Sequence, residues 1–133
     1  CVDAAEWNME NLHEWWVAVK DSEGARDKAA TLAATLEALG EYVPDEIWTD
    51  LIAGTSHTAM MAPYPSHWFL LSDASRRGRM GETVLLSLVS LGDGGPARAD
   101  PIVLHHVLKA LRTIGLEREV RTMALEAVVA AGL

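Results

Sequence analysis

The sequence predicts an all-α fold of short helical hairpins stacked into a small solenoid of six to seven helices. Three observations carry that prediction. Glycines at 40, 78 and 115 each close an apolar helical pattern and each precede a second one, so a hairpin unit recurs about every 37 to 38 residues. Apolar residues recur three and four apart along the chain, whereas almost no stretch alternates with period two. Half of the 133 residues are hydrophobic, with Ala and Leu dominant, which suits a single domain over residues 1–133 with its own core. The alternative arrangement of the same helices is an irregular bundle.

The first helix is expected from about Asp3 to Lys20. Trp7, Trp15 and Trp16, with Met9, Leu12 and Val19, put apolar mass on more than one face, while Glu6, Glu10 and Glu14 form a solvent-facing row four residues apart. A helix apolar on two sides needs either a second packing neighbour or a partner, because each covered indole buries a large area. Asp21 to Gly24 reads as a turn, and an Ala-rich helix from Ala25 to Leu39 ends at Gly40. Pro44, Asp45 and Glu46 open a third helix carrying Ile47, Trp48, Leu51 and Ile52.

Gly54 to Ser66 is the longest connection, and Pro63 and Pro65 should hold it extended, with Ser66 as the N-cap of the helix that bears Trp68. That helix stops before Gly78 and its hairpin mate follows. A second loop, Gly92 to Pro101, ends in Asp100 and Pro101, a capping residue followed by the favoured first helical proline. Laying Gly78 on Gly115 puts Glu82 on Glu119, Leu86 on Met123 and Leu88 on Leu125. An acidic first turn suits the positive end of the helix, and the large apolar residues are expected on the buried face.

Residues 108 to 131, with Ala110 and Leu111 before Gly115 and then Glu119, Val120, Met123, Ala124 and Ala127, resemble the second half of a tetratricopeptide-type repeat. The resemblance extends over roughly residues 66–133. It implies stacked helical hairpins whose concave or terminal surface binds another protein, or further repeats of a longer chain of which this is the C-terminal part.

The net charge of −8 is uneven: residues 1–50 hold twelve acidic and three basic side chains, residues 51–133 seven and eight. Nucleic acid is a poor partner for such a chain, since backbone contacts need Lys and Arg clustered along a face. The one basic cluster, Arg76, Arg77 and Arg79, falls at a hairpin turn where it offsets the negative end of the preceding helix. The best membrane candidate, Val84 to Leu91, is short and broken by Ser87 and Ser90, so no transmembrane segment is expected. Cys1 is the only cysteine, which rules out an intrachain disulfide. A cysteine in first position is also where a mature bacterial lipoprotein begins, so a lipid anchor at Cys1 stays open beside an excised fragment. The Ala, Gly, Arg and Leu content suits a GC-rich bacterial gene.

No residue set points to catalysis, a cofactor or a metal. His57, Met60, Met61 and His67 share the Pro-bearing connection but lack the close His spacing of a metal site. His105 and His106 are adjacent, so on a helix they diverge by about 100° and do not share a ligand. Ser56, Ser66, Ser72 and Ser75 stand in no nucleophile elbow, and Gly92, Gly94 and Gly95 lack the strand and trailing Lys of a phosphate loop. The residues therefore point to a non-catalytic interaction module, a scaffold, adaptor or assembly subunit, with Trp7, Trp15, Trp16, Tyr64 and Trp68 as candidate partner-binding residues. Two alternatives are a lipid-anchored envelope subunit of a larger membrane complex and a small-ligand regulatory domain with Tyr64 and Trp68 lining a pocket between hairpins.

Overall fold

Among the described residues the chain forms seven α-helices, α1 (Met9–Val19), α2 (Ala25–Leu39), α3 (Asp45–Ala53), α4 (Pro65–Arg76), α5 (Met80–Leu91), α6 (Pro101–Thr113) and α7 (Glu117–Ala130), with one 3-10 turn at Pro96–Arg98. This computed structural model describes residues 9–22, 24–53 and 64–133, and no strand occurs among them. The fold is all-α. Cys1, the predicted start of the first helix, Trp7 and the connection at 54–63, with His57, Met60 and Met61, lie outside the described residues. No helix among the described residues is long and apolar enough to cross a membrane.

The three hairpin glycines share one backbone solution. Gly40, Gly78 and Gly115 have φ of 85°, 67° and 88°. At each, the glycine N–H donates to the carbonyl three residues back (Glu37, Ser75, Arg112) and the next N–H to the carbonyl five back (Leu36, Ala74, Leu111). This is the Schellman closure, whose left-handed position only glycine adopts without strain. The Asp100 cap also forms, with Ile102 N–H donating to Asp100 Oδ1 at 2.8 Å and Pro101 in the first turn. The other expected cap does not: α4 starts two residues earlier, on Pro65, with Tyr64 at the cap position and Ser66 already helical. Proline at the first helical position loses nothing by lacking an N–H, and its fixed φ starts the helix.

Helix α6 is the hub. Leu104, Val107 and Leu108 are fully buried in a core that also takes Ala38 of α2, Leu71 of α4, Leu91 of α5 and Val120, Ala124 and Ala127 of α7. A second cluster joins Leu12 and Trp16 of α1, Leu32, Ala33 and Leu36 of α2 and Ile47 of α3, with Val43 between the last two helices. In a linear solenoid each hairpin meets only its sequence neighbours. Here α2 packs chiefly on α6 and α7, and α6 also carries α4 and α5. The hairpins form locally, but their packing order folds back on α6, which joins features of a short hairpin stack to those of a bundle.

The spacing of 37 survives in the buried register: Leu71 and Leu108, Ala74 and Leu111, Thr83 and Val120, and Ser87 and Ala124 are buried pairwise. One expected pair does not follow. Leu88 and Leu125, assigned above to the buried face, are 60% and 64% exposed. In α5 the fully covered stripe is Thr83, Ser87 and Leu91, and Leu88 lies about 100° around the helix from Ser87.

Candidate functional site

Helix α5 mixes polarity on its inward side, where Val84, Leu86 and Leu91 pack on the core beside hydroxyl residues, and is apolar on its outward side as well. Its inward stripe contains two hydroxyl residues, Thr83 and Ser87, and Ser87 Oγ is buried with no hydrogen-bond partner among the described residues. Thr83 Oγ1 donates to the Arg79 carbonyl one turn back, at 2.9 Å. Small side chains at these positions let α5 approach its neighbours closely. The outward stripe is apolar: Leu85, Leu88 and Val89 are 65%, 60% and 59% exposed. An amphipathic helix on a protein surface does the opposite. Phe69 and Leu70 of the preceding helix, α4, and Tyr64 at its cap position are exposed as well.

The hairpin α6–α7 gives an internal reference for that face. Adding 37 to Gly81, Leu85, Leu88 and Val89 gives Arg118, Thr122, Leu125 and Glu126, all exposed. The same face is thus mostly polar on α7 and wholly without charge on α5. At the turn end of the α4–α5 hairpin, Arg77 Nε donates to Asp73 Oδ1 at 2.9 Å, Arg79 Nη2 to Asp73 Oδ2 at 2.7 Å, and Arg79 Nε lies 3.2 Å from Glu82 Oε2. Two of the three arginines are therefore held inside the hairpin, while Arg76 is exposed in the last turn of α4.

The candidate partner-binding residues separate. Trp16 is 2% exposed, and its Nε1 donates to Asp50 Oδ2 at 2.9 Å. Its ring belongs to the core, which corrects its assignment as a partner contact. Trp15 is half-buried beside it and lines a groove at the α1–α2 end. Tyr64 is exposed and tilts against His67 with ring centroids 6.1 Å apart. Trp68 stacks on His106 at 3.6 Å with an 8° interplanar angle, so one indole face is already covered. The His106 imidazole of α6 thus covers the side of Trp68 that faces it.

The adjacent histidines of α6 do diverge. His105 Nε2 contacts Glu37 Oε2 of α2, and Lys109 Nζ donates to Glu37 Oε1 at 3.1 Å. These contacts, that of His105 first, hold the Glu37 carboxyl below its ordinary value against a partial desolvation penalty. His106 Nε2 lies 3.1 Å from the Trp68 carbonyl and 3.3 Å from Ser72 Oγ. Burial pushes His106 below its ordinary value; the Trp68 carbonyl opposes this and the neighbouring His105 adds to it. A carbonyl only accepts, so its contact with Nε2 places the proton there. The nitrogen next to Ser72 then has no lone pair to take the serine proton, and the pair is not an activated nucleophile. Among the described residues no three His, Cys, Asp or Glu converge as a metal site.

The exposed stripe of Leu85, Leu88 and Val89 was missed from sequence. Its signal was present in the overlay, where Leu85 meets Thr122 and Val89 meets Glu126. Which stripe of α5 is buried is a tertiary property, however, and the leucines alone suggested the wrong one. No protein-family model, curated protein or solved structure matches the chain, so no family is available to place this face in context.

Proposed function

We propose that the protein is a non-catalytic helical interaction module whose α4–α5 outer face docks an apolar helix face of another protein. The observation that carries this reading is the uncharged outer stripe of α5, with Leu85, Leu88 and Val89 all exposed. Covering each of these three side chains would contribute roughly 1 to 2 kcal/mol, so they act as the apolar centre of a larger interface whose remaining area must offset the cost of association. Phe69 of α4 and Tyr64 at its cap are exposed too, and aromatic side chains are common anchors of protein interfaces. Exposed Arg76 at the turn end favours a partner whose docking helix is acidic at one end.

The test uses the tagged full chain in its native host beside the double variant Leu85→Thr/Val89→Glu, which rewrites the α5 face with the residues of α7. The wild type should recover a stoichiometric protein that the variant loses, with helix content and melting temperature unchanged. Absence of any stoichiometric partner, or its retention by the variant, refutes the reading.

A further inference from the structure

A groove apart from the α5 stripe is formed by residues at both ends of the sequence. It lies between α1, the start of α2 and the end of α7, has a volume of about 490 Å³, and is walled by Trp15, Val19, Leu32, Val128 and Leu133. That size falls within the range of small-molecule sites, which are mostly apolar with a few polar groups that fix orientation. One charged side chain lines it, Lys28, and no acidic side chain of the described residues does. Such a lining is unusual here, because residues 1–50 hold only three basic side chains against twelve acidic ones.

Lys28 is also held in place. It is half-buried, and its Nζ donates to the Gly132 carbonyl at 3.4 Å. Among the described residues it has no acidic ion-pair partner within 4.0 Å. An ammonium has three donors, so two remain for an anion entering the groove. The Ser22 hydroxyl, the other polar side chain of the lining, is turned to the Val19 carbonyl at 2.7 Å and offers no competing donor. A single ammonium above apolar walls matches one negative charge on an apolar body. It does not match a polyanion, which would leave charges without partners in a desolvated site.

We propose that this groove binds a medium-chain fatty acid, with its carboxylate on Lys28 and its alkyl chain along Trp15, Leu32 and Val128. Isothermal titration of the full chain with octanoate, decanoate and dodecanoate below their micellar concentrations tests it. Binding should saturate at one site, and each pair of added methylenes should tighten it roughly tenfold. Lys28→Gln should weaken dodecanoate roughly tenfold or more, and methyl dodecanoate should bind the wild type no better than the acid binds that variant. Val128→Trp, which fills the groove, should abolish the heat, with circular dichroism confirming that both variants fold. Non-saturating heat with dodecanoate overturns the proposal, as does equal binding by Lys28→Gln or by folded Val128→Trp.

Discussion

The hairpins α4–α5 and α6–α7 close on the same glycine turn and bury the same register of residues, yet they meet solvent differently. Leu71, Ala74, Thr83 and Ser87 of the first occupy the positions of Leu108, Leu111, Val120 and Ala124 in the second. The inner face of α7 is apolar and its outer face mostly charged or polar, as a helix packed on one side requires. The inner face of α5 is partly hydroxylic and its outer face apolar. The difference teaches that hairpin geometry is set by the turn and by the size of the inner side chains, while the outer face remains free to be specialised.

The largest effect should come from the shared register itself. Leu71 and Leu108 are both fully buried, and truncation of either to Ala should cost about 2 to 5 kcal/mol by the loss of packed methyls and the cavity left behind. Leu108 should be the costlier of the two, because α6 touches α2, α4, α5 and α7 while α4 leans mainly on α5 and α6. Denaturant titration of both variants measures the difference. If Leu71→Ala were the more destabilising, the equivalence of the two hairpins around α6 would fail.

A smaller effect should come with the opposite sign. Ser87 holds the place of Ala124, and its hydroxyl is buried without a partner among the described residues. Ser87→Ala removes a desolvated polar group and raises helix propensity, so it should stabilise the fold by about 1 kcal/mol. A rise in midpoint at unchanged denaturant slope is the expected result. A destabilised variant would mean that the hydroxyl has a bonding role.

Much of this architecture was legible in the chain. Gly40, Gly78 and Gly115 announced the turns because a left-handed residue after an apolar helix has one economical side chain, none at all. Asp100 with Pro101 announced a helix start for the same local reason, and Ala25 to Leu39 was bounded correctly by its flanking glycines. The packing order was not legible. That α2 lies on α6 rather than on the next hairpin follows from long-range fit, and no local spacing encodes it. The site failed in the same way: Trp16 and Trp68 are equally aromatic in sequence, but one is enclosed by α2 and α3 residues and the other is stacked on a histidine from α6. Burial of Ser87 and exposure of Leu88, neighbours on one helix, depend on how closely α5 approaches the core and not on hydrophobicity.

The smallest expected effect concerns pH and sharpens the same comparison. At the spacing of 37, His106 occupies the position of Phe69, yet Phe69 is 72% exposed while His106 is half-buried under Trp68. Burial lowers the folded-state pKa of His106 below its ordinary 6.5, so the unfolded chain takes up a proton that the folded chain resists. Stability should therefore fall as pH drops below about 6.5. Glu37 acts in a lower window: its folded-state pKa is depressed from 4.5, so its contribution is present above that value and is lost as pH falls through and below it. His106→Gln should flatten the melting temperature between pH 7 and pH 5 and leave the acid limb intact, whereas Glu37→Gln should flatten only the acid limb. Identical pH profiles for wild type and His106→Gln would show that the imidazole under Trp68 is as accessible to protons as a residue in the exposed position of Phe69, and the asymmetry between the two hairpins would then be confined to α5.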